Sequence, residues 1–105
     1  MNITLLLESK DGVRTIEIRR NEISYRGLMR CLRSLTGCVV SKAHQDPLND
    51  NVTANIEFKH QSFSLYTPFS DYLISNSPSS RSVEVFEDFV SHLKLYKVRW
   101  WEKIF

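Results

Sequence analysis

The apolar positions of this chain change period several times, and each change marks an element. In the first twenty residues they alternate about a turn signal, Lys10-Asp11-Gly12-Val13. Asp-Gly is the strongest short hairpin signal, because both central positions of a tight hairpin turn need positive φ. With Asp11-Gly12 as the turn, Leu7 faces Ile16, Leu5 faces Ile18, Glu8 faces Thr15, Leu6 faces Glu17 and Thr4 faces Arg19. One side is then apolar and the other polar except for Leu6, and a one-residue slip would mix them.

Over residues 21–37 the period becomes helical. Tyr25, Leu28, Met29, Leu32 and Leu35 fall on one face, as in an amphipathic helix. Ser24 is the expected N-cap, Ile23 and Leu28 suit a hydrophobic staple, and Gly37 suits the left-handed position past the end. Arg26, Arg30 and Arg33 share the outer face, either as a solvated stripe or as a docking stripe for an acidic protein or a phosphate backbone.

Residues 38–43 read as a strand. Residues 44–51 read as a loop with an acidic tip, since Pro, Asp and Asn cluster there. Val52, Ala54, Ile56 and Phe58 then alternate with polar residues, a half-buried strand. His60-Gln61-Ser62 turns the chain into a returning strand around Phe63 and Leu65. Pro68 should end or bulge that strand, with Tyr72-Leu73-Ile74 as its continuation after a kink.

A second helix is expected from near Ser82, burying Val85 or Phe86 with Phe89, Val90 and Leu93. Glu84, Glu87 and Asp88 lie in its first turns and Lys94 and Lys97 at its end, as the helix dipole favours. The last residues carry Trp100, Trp101, Ile104 and Phe105. A tail this apolar should dock on its own domain or on a partner.

The expected fold is one α+β domain spanning residues 1–105, in the order ββαβββα. A mostly antiparallel sheet, built from the N-terminal hairpin and a later meander, carries two amphipathic helices on one face. The other face, with Thr4, Glu8, Thr15, Glu17, Thr53, Asn55, Glu57 and Lys59, is expected to be wet.

Composition narrows the class. A hydrophobic fraction of 42% and a charged fraction of 25% are those of an ordinary globular protein. There is no basic n-region, no cleavage-site pattern and no apolar run of membrane-spanning length, so a cytoplasmic chain without a membrane partner is expected. Residues 1–42 hold eight Lys/Arg against four Asp/Glu, whereas residues 43–105 hold six against eight. The first half therefore supplies a basic surface.

Candidate chemistry is sparse. Cys31 and Cys38 have neither a disulfide framework nor zinc spacing, and they read as reduced thiols. His44, His60 and His92 have no metal spacing. His44, His60 and Lys42 would make an acid–base set for RNA cleavage only if they met. The two histidines lie at opposite ends of a strand, about 26 Å apart at strand rise. There is no Gly-x-Ser-x-Gly elbow and no phosphate-binding glycine loop. The chain is therefore expected not to be an enzyme and to need no cofactor.

Thr67-Pro-Phe-Ser-Asp-Tyr-Leu-Ile and Val85-Phe-Glu-Asp-Phe-Val-Ser-His-Leu, with the hairpin start and the final amphipathic helix, resemble small immunity proteins of bacterial contact-dependent growth-inhibition and related polymorphic toxin systems. The resemblance implies an antitoxin that binds a cognate toxin domain, often a nuclease, and occludes it without turnover.

Aromatic and Arg side chains dominate interface energetics. The expected partner-binding residues are therefore Arg26, Arg30, Arg33, Tyr66, Tyr72, Trp100 and Trp101, with Asp46, Asp50 and Asp71 as acidic contacts. The alternative is a small single-stranded nucleic-acid-binding module using the Arg helix and the sheet aromatics. A free sheet edge would also allow a homodimer or strand addition.

Overall fold

The structure is a computed structural model and describes residues 1–6 and 8–105. It is an α+β fold: a six-stranded antiparallel sheet with two helices. The strands are β1 (Thr4–Leu5), β2 (Thr15–Ile18), β3 (Cys38–Gln45), β4 (Val52–Phe58), β5 (Gln61–Tyr66) and β6 (Tyr72–Asn76), in the spatial order β1-β2-β6-β5-β4-β3. Helix α1 (Tyr25–Ser34) carries the chain from β2 across the sheet to β3 at the far edge. Helix α2 (Val83–Leu95) follows β6, and a short 3-10 helix (Trp100–Lys103) ends the chain.

The N-terminal hairpin forms in a register two residues from the expected one. Thr4 pairs with Glu17 and Leu5 with Ile16; the Leu7 side of the expected Leu7–Ile16 pair lies outside the described residues. The turn supplies one residue of this shift. Gly12 N–H donates to Ser9 O (3.1 Å) and Ser9 N–H to Val13 O (3.0 Å), which makes the loop one residue longer than Asp-Gly. Gly12 has φ 78 whereas Asp11 is not among the positive-φ residues; a glycine in the left-handed region after a turn is the three-residue alternative. A shift of two keeps each side chain on its face, so Ile16 and Ile18 are fully buried. Leu5, at the sheet edge, stays 58% exposed.

The two-residue turn with both central φ positive is elsewhere, at Lys59 (φ 49) and His60 (φ 65) between Phe58 and Gln61. Tyr72-Leu73-Ile74 does not continue the preceding strand. After Pro68, with Ser70 at φ 83, the chain reverses, and β6 runs back between β5 and β2.

Strand β3 reaches Gln45, beyond its expected end. It is bulged between Ser41 and His44, where Lys42 takes φ 52. Both outer strands are thus poor templates for a further strand: β1 has two residues, and β3 is bulged and carries a lysine.

Both helices start as the sequence indicates. Ser24 Oγ accepts from Gly27 N–H (3.1 Å) and Ser82 Oγ from Val85 N–H (3.3 Å). One core joins them to one face of the sheet, with Ile16, Ile18, Val52, Ile56, Phe58, Phe63, Leu65 and Ile74 meeting Leu28, Leu32, Phe86, Phe89 and Leu93. Phe63 stacks on Phe89 at 4.7 Å between ring centroids. The opposite face is open, with polar rows such as Thr15–Ser75–Ser64–Asn55–Ser41 crossing it from strand to strand. No helix of the described residues is long and apolar enough to cross a membrane.

Candidate partner-binding surface

The C-terminal tail docks on its own domain, and the group that docks is Glu102 rather than a tryptophan. Glu102 is 2% exposed. Its backbone carbonyl accepts from Ser24 N–H (2.6 Å), the residue that caps α1. Its carboxylate accepts from Tyr96 OH (2.5 Å) and Arg99 N–H (3.1 Å), and Arg30 Nε lies 3.6 Å away. Burial acts to raise the Glu102 pKa. The hydrogen bonds from Tyr96 and Arg99 and the charge of Arg30 outweigh it and hold the carboxyl below the usual carboxylate range. Burial and the bond to Glu102 push the Tyr96 phenol up to about 12.

The fit is close. A Cβ on Gly27 would lie 2.6 Å from Glu102 O and 2.8 Å from Ile23 Cγ1, so only glycine lets the tail lie against α1.

With Glu102 anchored, the aromatic residues of the same turn face outward. Trp100 is 70% exposed, Trp101 39%, Ile104 65% and Phe105 63%. The tryptophans meet edge to face at 5.9 Å, and the Arg99 guanidinium lies 5.2 Å from the Trp101 ring centre. Arg30 Nη2 donates to Phe105 O (3.2 Å), which joins the end of the tail to the outer face of α1. There Arg26, Arg30 and Arg33 surround a shallow depression with Tyr25 and Met29. Arg30 thus ties the Arg row to the turn that carries the Trp pair. Of the cations of α1 and residues 94–105, Arg26, Arg30 and Arg33 line this depression and Arg99 lies over Trp101, whereas Lys94, Lys97 and Lys103 line a separate depression with Glu22.

Two further exposed apolar residues, Leu48 and Phe69, stand on loops at the end of the sheet from which α1 starts. Arg20 clamps these loops, donating from Nη2 to Asp50 O (2.7 Å) and from Nη1 to Ser70 O (3.1 Å).

Several expected contact residues turn out to hold the fold. Tyr72 is fully buried: its hydroxyl donates to Ile23 O (2.9 Å), and Arg20 covers its ring at 4.9 Å. It cannot meet a partner without unfolding β6. Asp71 Oδ1 accepts from Arg20 N–H (2.9 Å), and Asp46 Oδ1 accepts from Leu48 N–H (2.8 Å). Asp50 is in the left-handed region at φ 59 with its carbonyl bound to Arg20. Asp46 and Asp71 thus anchor loops through their carboxylates, whereas Asp50 does so through its backbone and stays exposed. Arg30 is half structural, through Glu102 and Phe105. Tyr66 lies on the open sheet face, half-buried, its hydroxyl 3.1 Å from Ser75 Oγ.

His92 Nδ1 lies 3.2 Å from Asp88 Oδ1, and Asp88 also pairs with Lys59. This tie holds α2 to the Lys59–His60 turn. Among the described residues, no group of three His, Cys, Asp or Glu side chains is placed to hold a metal ion. Burial pushes the Cys31 thiol up to about 12 and the Cys38 thiol to about 11, so both are protonated at neutral pH and poor nucleophiles.

No family model, curated protein or solved structure matches this chain. The geometry of the surface carries the functional reading.

Proposed function

We propose that the chain is an immunity protein or antitoxin that binds a cognate toxin domain stoichiometrically, without turnover, through the surface formed by the C-terminal turn and the outer face of α1. The observation that carries this reading is the exposure of Trp100, Trp101, Ile104 and Phe105 on a turn whose backbone is fixed by buried Glu102. Large apolar side chains held rigidly in water are interface anchors: they desolvate on binding, and little ordering entropy remains to be lost. Arg neighbours add the other residue type enriched in such anchors.

Two features separate this reading from a single-stranded nucleic-acid module built on the Arg helix and the sheet aromatics. Phe58 and Phe63 are buried under α2, and Tyr66, on the open face, lies on the opposite side of the sheet from the Arg row. Strand addition and sheet-edge dimerisation are disfavoured by the two-residue β1 and the bulged β3.

The test is affinity capture from the native host, followed by expression of each captured protein alone and with this chain. The reading predicts one stoichiometric protein that survives a high-salt wash, arrests growth alone and is neutralised by the chain. Nucleic acid that elutes as salt rises would instead indicate phosphate-backbone binding, and the toxin reading would be abandoned.

A further inference from the structure

We infer that the occupant of this surface is an acidic protein segment that carries its own apolar anchors, lying along α1 with its carboxylates on the Arg row and its apolar side chains against the Trp100–Trp101 turn. The inference rests on the partner-binding reading above and adds the chemistry of the partner.

Charge is the first argument. Arg26, Arg30 and Arg33 line the depression on α1, Arg99 lies over Trp101, and the one acidic side chain of α1 and the tail, Glu102, is buried and bonded to Tyr96 and Arg99. A cationic partner would meet repulsion with nothing to offset it, whereas an acidic one is steered in and held in register.

Spacing is the second. Arg26, Arg30 and Arg33 rise along α1 by about 6 Å and then about 4.5 Å at helical pitch. Carboxylates at i, i+4 and i+7 of a partner helix repeat that spacing.

Apolar content is the third. Ile104 and Phe105 are exposed in the same tail as the tryptophans, and half-buried Tyr25 lines the depression between the arginines. An amphipathic acidic segment supplies apolar groups for all of these. A nucleic acid supplies flat bases for the indoles and nothing for the aliphatic groups.

The two tryptophans are the only ones in the chain, so intrinsic fluorescence reports on this surface. The full chain is titrated with a synthetic amphipathic peptide carrying Glu at i, i+4 and i+7 and Leu and Phe on the adjoining stripe. The same peptide with Lys in place of Glu and a single-stranded oligouridylate are titrated in parallel. The expected result is a saturable spectral change with the Glu peptide alone, weakened at least about tenfold by the double variant Arg26→Glu/Arg33→Glu and by high salt. Both arginines are exposed, and an unchanged melting temperature confirms that the variant folds; Trp100→Ala provides a second variant. No response to the Glu peptide, or a stronger response to the Lys peptide or to the RNA, overturns the inference. A chain that neutralises a toxin yet ignores the Glu peptide refutes this inference alone. A chain that binds the peptide but neutralises no toxin refutes the immunity reading alone.

Discussion

Glu102 decides the local energetics of the candidate surface, and its neighbours carry the sharpest predictions. Arg30 reads from sequence as a surface residue, one of three on a solvated stripe, whose reversal should spare stability. In the structure its guanidinium faces a nearly buried carboxylate and the carbonyl of Phe105. Arg30→Glu would set a second carboxylate beside the nearly buried Glu102. It is expected to cost about 1–3 kcal/mol in urea unfolding, while Arg26→Glu and Arg33→Glu stay within about 0.5 kcal/mol. Gly27→Ala tests the close approach. Helix propensity alone favours alanine by about 1 kcal/mol, yet the new Cβ would meet the Glu102 carbonyl and Ile23. The expected outcome is net destabilisation, with the tail displaced and tryptophan fluorescence altered. Neither role was legible in the sequence: Glu102 is one acid in a tail whose conspicuous residues are aromatic, and Gly27 looks like a weak spot in a helix.

The elements were legible where one face is buried and period alone decides. Strand β4 alternates buried and exposed at every position, and both serine caps are where the pattern places them. The turns were less legible, because turn chemistry favours residue types without requiring them. Asp11-Gly12 belongs to a longer loop, and the tight turn with two positive φ values is made by Lys59-His60. Two non-glycine residues in the left-handed region cost roughly 1–2 kcal/mol each. They persist because β4 and β5 pair on either side and Lys59 also pairs with Asp88. His60→Gly keeps that pair and removes one strained residue. It is expected to raise stability by about 1 kcal/mol, read as a higher urea midpoint at constant m-value. Pro68 marks a break in the sequence, but the reversal there depends on β6 finding both β5 and β2, the latter more than fifty residues away.

At the scale of the molecule, Arg30 joins the Arg row of α1 to the tail that carries exposed Trp100 and Phe105, while the opposite sheet face stays polar. The candidate Arg and Trp residues were readable singly, but their meeting depends on the tail folding back to cap α1, a contact no local pattern encodes. The anchoring also sets pH behaviour. Glu102 has a folded pKa below its ordinary 4.5, so its contribution is present above about pH 4.5 and is lost as pH falls through the folded value. Cys31 is raised from 9.0 to about 12, so the fold favours its protonated form. Cys38 is raised likewise to about 11 and Tyr96 to about 12, so stability is full below pH 9 and declines progressively as pH climbs from 9 towards 12, the losses of these groups adding. Urea unfolding across a pH series should show a plateau between these limits. The central claim is that the Trp100–Trp101 turn anchors a protein partner, and the most direct measurement is the Kd of the captured partner for the wild-type chain and for Trp100→Ala. Trp100 is mostly exposed, so the variant should fold normally and lose about thirtyfold or more in affinity, the loss expected of an interface anchor. An unchanged Kd would contradict the account and move the interface away from the C-terminal turn.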